Sequence, residues 1–333
     1  MSGISVVVVS WNGLHLLRSC IDSLQPQGAD FELVIVDNGS SDGTSAWVRT
    51  TLPEARLVRL PSNQGFAGGY NAGMRAAHGD RLVLINNDTL APAGFVGTLA
   101  RPLDTADDVG AVAGVLTFAH RPDLVASAGI VPGADGVHRD ALMLSPVSGL
   151  PVDEYECFGA SGGAVCLRRA ALEDTGLFHE GFFAYLEDAD LAWRLRLRGW
   201  RTICSPSARI AHIYSATSGQ NSPLKQCLLA LNRWRVLLRC VPGSLLRRCM
   251  LPILRYDALA IAYGIASRQP EIVRGRLLLR RELPSLIAER RRILRRATVA
   301  PTDLQRWIAA APSPRQVRAQ AAALDQVLRD RRG

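Results

Sequence analysis

One short stretch of the chain concentrates carboxylates. Glu187, Asp188 and Asp190 fall within four residues, directly after the apolar and aromatic run 181–186. Carboxylates this close repel one another and are costly to bury unless cations or protons balance them. They are therefore candidates for acid–base chemistry or for binding a cation. The alternative is a solvated helix start, in which Asp190 does no more than pair with Arg194.

A second set of polar residues ends an apolar run. Asn86, Asn87 and Asp88 follow the run 81–85 (RLVLI) directly. A carboxylate at such a position can hold a hard divalent cation, which keeps several waters and takes its other ligands from substrate phosphates. His212 could contribute to the same site, and a core histidine is the alternative. A lone aspartate at a strand end is usually a turn residue, so the metal hypothesis depends on its combination with the acidic cluster at 187–190 and with His212.

Two glycine-containing segments provide further candidates. In 37–43 (DNGSSDG), Asp37 could accept hydrogen bonds from a base or ribose, and an ordinary βα turn would have the same composition. In 63–73 (NQGFAGGYNAG), glycines that open a helix let the backbone approach a phosphate. Close helix–sheet packing explains these glycines equally well, and their spacing does not match the GxGxxG fingerprint.

The elements that would position these residues alternate between strand and helix. We predict strands at 4–9, 32–36, 55–60 and 81–85, and helices at 14–24 and 66–78. This alternation predicts a doubly wound α/β sheet. Ligands of such sheets bind beyond the carboxyl ends of the strands, where the polar segments lie. Further strands are predicted at 110–118, 163–167, 201–204 and 208–213, and a helix at 187–198 with Gly199 at its end.

Composition favours a folded intracellular protein. The 333 residues are 48% hydrophobic and 21% charged, which permits a substantial core and makes disorder unexpected. The seven cysteines form no CxxC pair, so we expect neither a disulfide framework nor a zinc ribbon, and a reducing cytoplasm fits best. The N-terminus lacks the signal-peptide pattern, and we expect no apolar run of the roughly 18 to 20 residues that span a bilayer. Any membrane contact would then be peripheral.

Charge is distributed unevenly along the chain. Residues 1–220 carry a net charge of −7 and residues 221–333 a net charge of +16. Beyond Pro223 we expect a helix with apolar leucines on one side and arginines elsewhere, and Arg274–Arg296 predicts a basic amphipathic helix. Such a helix binds an anionic membrane surface; a helical cap on the fold is the alternative. Nucleic-acid binding is not expected, because no recognisable module accompanies the arginines. The leucines and arginines of the first helix are Leu224, Leu228, Leu231 and Leu238, and Arg233, Arg235 and Arg239.

Taken together, these segments resemble the inverting glycosyltransferases of family 2, and most of all bacterial rhamnosyltransferases and related cell-envelope enzymes. The resemblance covers about residues 4–220 and implies a GT-A-type doubly wound mixed sheet at 1–220, followed by a basic helical region at 221–333. It rests on VVVVSWNG (6–13), VDNGSSDGT (36–44), NQGFAGGYNAG (63–73), LINNDT (84–89), GASGGAVCLRR (159–169), GFFAYLEDADLAWRLRLRGW (181–200) and AHIYSATSG (211–219).

The resemblance implies roles for the matching positions. Asp188 would be the catalytic base, and Asp88 and His212 would bind Mg²⁺ or Mn²⁺ under the leaving diphosphate. Asn86 stands where the family's DxD motif has its first aspartate, so it would contact sugar or nucleotide more than metal. The expected nucleotide- and donor-binding residues are Ser10, Asn12, Asp37, Asn38, Gly39, Asn63, Gly65, Asn71, Asn86, Asn87 and Glu187.

The implied activity is transfer of a sugar from a nucleotide-diphosphate donor to a glycan or lipid-linked acceptor, with inversion, at the cytoplasmic face of the cell membrane. dTDP-rhamnose is the first donor to test. A polyprenyl-phosphate glycosyltransferase and a non-catalytic sugar-nucleotide-binding protein are the alternatives. The sequence leaves open whether the chain forms a homo-oligomer.

Overall fold

The structure is a computed structural model that describes residues 3–25, 27–28, 30–213 and 222–329. Its strands are β1 (Ile4–Ser10), β2 (Glu32–Asp37), β3 (Arg56–Arg59), β4 (Arg81–Asn86), β5 (Thr89–Leu90), β6 (Val109–Phe118), β7 (Arg121–Ser127), β8 (Ile130–Pro132), β9 (His138–Asp140), β10 (Tyr155–Cys157), β11 (Ala164–Arg168) and β12 (Arg201–His212). Its α-helices are α1 (Leu14–Leu24), α2 (Thr44–Thr51), α3 (Gly65–Ala76), α4 (Phe95–Ala100), α5 (Arg169–Thr175), α6 (Glu187–Leu197), α7 (Pro223–Arg239), α8 (Gly243–Ala266), α9 (Pro270–Arg295), α10 (Pro301–Leu304) and α11 (Pro314–Arg329).

Ten of the strands form one mixed sheet. Its main path runs β10-β12-β6-β11-β4-β1-β2-β3, while β5 pairs with β12 and β7 pairs with β6. The four strands β3, β2, β1 and β4 are parallel, and β11 runs antiparallel between β4 and β6. The parallel register places Ser10 beside Asp37 and Val9 beside Asn86. The polar segments that follow β1, β2 and β4 therefore meet at one edge, as the sequence predicted.

The sheet has an apolar core on each face, which explains the unbroken runs of Val, Ile and Leu in its strands. Val6 and Val8 of β1 pack with Leu17 of α1 on one face. Val7 points to the other face and packs with Met74 of α3 and Leu191 of α6. Because successive side chains of a strand alternate between the two faces, each strand needs apolar residues at every position.

The predicted strands 201–204 and 208–213 are wrong as two elements, because they form the single strand β12. A register shift against β6 between Ser205 and Arg209 accommodates the segment that interrupts the apolar pattern. Such an irregularity leaves extra residues unpaired and bends the strand, but the strand stays in the sheet. The continuous strand carries its last residue, His212, to the same sheet edge as β5, where His212 pairs with Thr89.

The C-terminal helices pack on the same molecule instead of extending away from it. Trp193 of α6 shares an apolar core with Val236, Leu237 and Cys240 at the end of α7 and with Leu245 of α8. The proposed boundary at residue 220 lies outside the described residues. Helix α11 returns to the other end of the sheet, where Val327 joins the core formed by α1 and α4.

Helix α7 differs from the sequence expectation in which side it buries. Arg233, Arg235 and Arg239 are buried, whereas Leu224 is exposed. Each buried guanidinium meets a carboxylate from another element, so the charges are compensated. The sequence pattern separated these arginines from the leucines but did not predict their burial, because an amphipathic pattern read from one helix cannot detect partners that lie far away in the sequence.

One helix nevertheless has the length and mean hydropathy of a membrane span, although it is not an uncharged apolar run of the kind that the sequence analysis looked for. Helix α8 has 24 residues with a mean hydropathy of 1.3 over its best window, and 22% of that window is buried inside the structure. The helix therefore meets the length and composition criteria of a membrane span. Core helices of soluble proteins meet the same criteria. Arg255 and Asp257 lie within that window and interrupt the apolar run in the sequence.

Candidate active site at the carboxyl edge of the sheet

The loops that follow β1 and β2 are tied to each other and to themselves. Asp37 is buried, and its Oδ1 accepts a hydrogen bond from the Ser40 amide at 2.8 Å while its Oδ2 accepts one from the Ser45 hydroxyl. Asn12, in the left-handed region with φ 49°, accepts a hydrogen bond from the Ser41 amide at 2.8 Å. These contacts hold the two loops together as one polar surface. The Asp37 side chain is buried beneath the loop that follows β2.

Asp42 caps the starts of two helices. Its Oδ2 accepts a hydrogen bond from the amide of Leu14 at 2.8 Å, at the start of α1. Its Oδ1 accepts one from the amide of Thr44 at 3.1 Å, at the start of α2. One carboxylate thereby satisfies free amides of two helices. The sequence supported only the cap on α2, because the link to α1 depends on the neighbouring loop.

Asn38 joins the second and third polar segments. Its Nδ2 donates to the side-chain oxygen of Asn63 at 3.1 Å and to the carbonyl of Gly65 at 3.0 Å. Gly39 has φ 78°, and a Cβ there would lie 2.6 Å from the backbone of Ser62. The glycine is therefore required by close approach of the two loops, independently of any ligand.

Gly65 and Asn71, both predicted to bind donor, make extensive contacts inside the protein. Gly65 has φ 70°, and a Cβ there would meet the carbonyl oxygen of Phe183 at 2.3 Å. Asn71 is buried, and its Nδ2 donates to the Phe178 carbonyl at 2.8 Å and to Glu180 at 3.0 Å. Packing therefore accounts for both residue types, and their contact with a donor stays a prediction.

The end of β4 carries the next candidates. Asn87 donates from Nδ2 to the hydroxyl of Ser10 at 3.2 Å, which links the ends of β4 and β1. Asn86 accepts a hydrogen bond from the Tyr70 hydroxyl at 3.1 Å through its side-chain oxygen. The tyrosine is buried and lies on α3. This part of the edge is thus built from side chains of two strands and one helix.

Asp88 and His212 meet, although 124 positions separate them in the sequence. The Oδ1 of Asp88 lies 3.1 Å from Nε2 of His212. Backbone pairing produces this approach, because the short strand β5 is antiparallel to the end of β12 and the Ile213 amide donates to the Asp88 carbonyl at 2.9 Å. The predicted metal-binding pair is therefore assembled by sheet formation.

The donor set of this pair fits a divalent cation that also binds phosphate. A carboxylate oxygen and an imidazole nitrogen are donors that would suit Mg²⁺ or Mn²⁺, and in Asp88 and His212 they lie 3.1 Å apart, which is also the distance of a hydrogen bond between the two side chains. In the described part of the chain, no group of three or more His, Cys, Asp or Glu side chains could hold a metal. The remaining ligands would have to come from water and substrate.

Asp188 occupies the first turn of α6 and faces the turn before β11. Its Oδ2 accepts a hydrogen bond from the Gly162 amide at 3.0 Å, and its Oδ1 accepts one from the Ala189 amide at 2.7 Å. The next residue of the turn, Gly163, accepts a hydrogen bond from the Asn86 amide at 3.2 Å, so this turn links Asp188 to the end of β4. Burial raises the pKa of the Asp188 carboxyl, and the two amides oppose that effect.

Glu187 is almost completely buried beside Asp188. Its relative exposure is 4%, and in the described part of the chain its Oε2 has no hydrogen-bond partner. Burial, and then the negative charge of Asp188, raises the pKa of Glu187 well above its ordinary value. A buried carboxyl without a partner is costly unless it is protonated or meets a ligand.

Two residues of the site escaped the sequence analysis. Burial raises the pKa of Asp140 to about 6; the charge of Asp188 adds to this effect, whereas those of His212 and Lys225 oppose it. Asp140 therefore shares one region with the predicted base and with one of the predicted metal ligands. The Lys225 ammonium lies 5.4 Å from the ring centre of Tyr185. Neither residue stands in a recognisable motif, and Lys225 belongs to the C-terminal helices.

Comparison with known proteins supports the same assignment of family and fold. A family model described as glycosyl transferase family 2 matches residues 5–176. An N-acetylglucosaminyl-diphospho-decaprenol L-rhamnosyltransferase of Mycobacterium tuberculosis is 26% identical over 244 residues, which cover 65% of this chain and 78% of the relative.

Two solved structures share the fold. The crystal structure of GalNAc-T7 with UDP, GalNAc and Mn²⁺ matches with a TM-score of 0.61 and 15% identity, over 81% of this chain and 58% of that one. A mannosyltransferase of Pyrobaculum calidifontis in complex with GDP-Man and Mn²⁺ matches with a TM-score of 0.50 and 21% identity, over 97% of this chain and 80% of that one. The GT-A-type α/β fold predicted from the sequence is confirmed.

Proposed function

The chain belongs to glycosyl transferase family 2, and on that premise we propose that it transfers a sugar, with inversion, from a nucleoside diphosphate donor to a hydroxyl group of a glycan or lipid-linked acceptor. One observation carries the proposal. A half-buried carboxylate, Asp188, lies at the same sheet edge as the 3.1 Å pair of Asp88 and His212. A base and an anchor for diphosphate are the two parts that such a transfer requires.

Asp188 acts as the general base in this proposal. It accepts the proton of the acceptor hydroxyl while that oxygen forms its bond to the anomeric carbon and the bond to the diphosphate oxygen breaks. The amides of Gly162 and Ala189 hold the carboxylate in place. Because burial raises its pKa, Asp188 is a stronger base than a solvated aspartate once it is deprotonated.

Asp88 and His212 hold a divalent cation, Mn²⁺ or Mg²⁺, which when bound stabilises the negative charge that develops on the leaving diphosphate. Both structural neighbours were solved with Mn²⁺ and a nucleotide or nucleotide sugar, which supports a cation of this class. A second catalytic acid is then unnecessary, in contrast to glycoside hydrolysis. Asn86 and Asn87 contribute polar groups beside the pair, and Glu187 contacts the donor sugar.

The loops after β1 and β2 bind the nucleotide. Asp37, Asn38 and Gly39 lie on the β2 side of this surface, and Ser10 and Asn12 lie on the β1 side. Polar backbone and side-chain groups at strand ends are the usual contacts for a base and ribose in such sheets. Asn63 and Gly65, at the start of α3, support this surface through Asn38, and Asn71 lies further along the same helix.

Rhamnose from dTDP-rhamnose is the proposed donor sugar, and a lipid-linked glycan is the proposed acceptor. The printed name of the mycobacterial relative describes a rhamnosyltransferase whose acceptor is attached to decaprenol through a diphosphate. An acceptor of this kind resides in a membrane, so the enzyme must reach its surface. The proposed location is the cytoplasmic face of the cell membrane.

Helix α8 is the proposed membrane-binding element. Leu251, Leu254 and Ile265 are exposed, and with Ala258 and Ala262 they recur every three or four residues along one side of the helix. The arginines at 247, 248 and 255 are exposed on the same helix. An exposed apolar stripe flanked by arginines is typical of helices that lie in an anionic lipid interface.

The opposite side of α8 is fixed to the protein, which supports an interfacial orientation over a spanning one. Asp257 is buried and accepts hydrogen bonds from Arg233 of α7 at 2.9 Å and from Arg276 of α9 at 2.7 Å. Insertion across a bilayer would have to break both ion pairs and place a carboxylate in lipid.

The function is tested by a screen of dTDP-, UDP- and GDP-sugars with and without Mn²⁺, first by thermal shift and then by donor hydrolysis and transfer to membrane extracts. We expect Asp188→Asn to lower turnover at least a hundredfold and to leave nucleotide binding within about threefold. Near-normal turnover of this variant would favour a phosphate acceptor, which needs little help from a base. Absence of nucleotide binding in every arm would contradict the proposal itself.

A further inference from the structure

The residues directly before Asp188 adopt a strained backbone. Phe183, Tyr185 and Leu186 have φ values of 61°, 69° and 67°. Positive φ in a residue other than glycine is strained and persists only where the surroundings enforce it. Leu186 is the residue that precedes the first turn of α6. The conformation of this loop therefore sets the direction in which the first turn, with Glu187 and Asp188, enters the site.

A single side chain from the C-terminal helices holds this loop. Asn232 of α7 is fully buried, with 0% exposure. Its Nδ2 donates to the carbonyls of Phe182, Ala184 and Tyr185 at 3.0, 2.9 and 2.8 Å. Three carbonyls from a stretch of four residues can converge on one amide only because the chain folds back at positive φ. The strained backbone and the buried amide thus require each other.

Arg235 completes the attachment. Its guanidinium donates to the carbonyl of Gly181 at 2.5 Å and to the side-chain oxygen of Asn232 at 2.7 Å. The same guanidinium forms two hydrogen bonds, at 2.7 and 2.6 Å, to the carboxylate of Glu282 on α9. The amide of Asn232 is therefore fixed in the orientation that turns its nitrogen toward the loop.

The loop also contacts the start of α3, in the part of the site that is proposed to bind the sugar donor. The carbonyl of Phe183 accepts a hydrogen bond from the Ala67 amide at 3.1 Å, in the first turn of α3. The absence of a side chain at Gly65 is what makes this approach sterically feasible. A shift of the loop would consequently move the first turn of α6, which carries Glu187 and Asp188. It would also disturb the contact between the loop and α3.

We propose that Asn232 is a positioning residue for catalysis: it stabilises the strained loop 182–186 and thereby directs Asp188 toward the acceptor. This inference rests on the proposed role of Asp188 as the base. It gives the C-terminal helices a part in the chemistry in addition to any contact with lipid. Asn232 does not touch substrate in this scheme, because it is buried behind the loop.

The test compares Asn232→Leu, which keeps the volume and removes the donors, with Gln226→Leu, which removes an amide from a partly exposed position of the same helix. We expect Asn232→Leu to lower kcat at least thirtyfold with the best donor of the screen. The donor KM, and the affinity for the corresponding nucleoside diphosphate with Mn²⁺, should change less than threefold. Gln226→Leu should leave all of these values within twofold.

Hydrogen exchange gives a readout that does not depend on activity. We expect amide exchange in residues 183–190 to accelerate at least tenfold in Asn232→Leu, while residues 37–45 stay unchanged. If Asn232→Leu does not fold, Asn232→Ser, which keeps one donor, should show both effects in smaller degree. Unchanged exchange in the loop, or a kcat equal to that of the wild type, would overturn the proposal.

Asp188→Asn, assayed in parallel, separates this inference from the function on which it rests. If Asp188→Asn is inactive and Asn232→Leu is fully active, the base assignment stands and the positioning role fails. If Asp188→Asn keeps its turnover, the assignment of the base fails, and a positioning role for Asn232 toward Asp188 fails with it. Loss of kcat in both variants, with faster loop exchange only in Asn232→Leu, is the expected outcome.

Discussion

Replacement of Arg239 by methionine should destabilise the protein strongly, because Arg239 neutralises a carboxylate in the core. Asp190 is 0% exposed and lies between two arginines, each with its Nε 2.8 Å from a carboxylate oxygen. Arg239 is 2% exposed and also lies against Glu289 of α9. Breaking a buried ion pair costs about 3–5 kcal/mol when one charge is left behind.

The lower end of that range applies here. Asp190 keeps Arg194, and methionine refills part of the space of the arginine stem. We therefore expect the free energy of unfolding to fall by about 3 kcal/mol at pH 7. Urea unfolding followed by circular dichroism and by fluorescence measures the change. Arg280→Met, at an exposed position of α9, is the matched control and should change the free energy by less than about 0.5 kcal/mol.

The pH dependence of this loss has a defined sign. Burial alone would raise the pKa of Asp190, but the charges of Arg194 and Arg239 lower it well below its ordinary value. The resulting stabilisation is complete above the unfolded-state pKa of about 4 and is lost as the pH falls toward the lower folded-state value. Without Arg239 the folded-state pKa rises, so the difference between variant and wild type should shrink by up to about 1 kcal/mol between pH 4 and pH 3. A loss below 1 kcal/mol at pH 7, or a loss that is the same at both acidic pH values, would refute this reasoning.

Three further changes test the site and the surface. Asp88→Asn should lower turnover about a hundredfold or more, and it should weaken the binding of Mn²⁺ in the presence of UDP, which calorimetry measures. A change of less than threefold in the affinity for Mn²⁺ would exclude the metal role. Gly65→Ala should cost about 2–4 kcal/mol in urea unfolding, because its Cβ would meet the carbonyl of Phe183, whereas Gly149→Ala, where nothing lies within 4 Å, should be nearly neutral. Leu251→Ser should weaken flotation with anionic vesicles about tenfold, and Val152→Ser, at an exposed position of the catalytic domain, should leave it unchanged; equal binding of both would exclude α8 as the lipid-binding element.

The sequence predicted those parts of the fold whose signals are local. The apolar runs of β1, β2 and β4 gave strands with bounds close to those observed, and α1 was predicted with its exact observed residues 14–24. The edge at which Asp37 and Asn86 meet followed from the parallel arrangement alone. The pairing of Asp88 with His212 did not follow from any local pattern, and it was inferred from the family resemblance.

The contributions of residues from distant parts of the chain were not predictable in the same way. Asp140 lies in a short hairpin strand, and its place beside the site depends on how β8 and β9 pack. Asn232 stands in a helix of ordinary composition, and its role depends on carbonyls about fifty positions earlier. Hydrophobic periodicity assigns such residues to a helix, but it carries no information about which polar groups meet them.

The arginines of the positively charged C-terminal region fall into two groups, those paired with carboxylates inside the protein and those exposed on its surface. Arg233, Arg235, Arg239 and Arg276 are occupied by buried or half-buried carboxylates of the protein itself, so they contribute little to the surface potential. In the proposed contact with lipid, the charge comes instead from exposed arginines such as those at 247, 248 and 255 of α8 and at 280 of α9. The excess of arginine therefore serves two separate needs, and only the second should respond to salt, because buried pairs are screened much less than exposed charges. Vesicle binding should weaken at 0.5 M NaCl relative to 0.1 M, while the destabilisation caused by Arg239→Met should change little; an equal salt response of both would contradict this division.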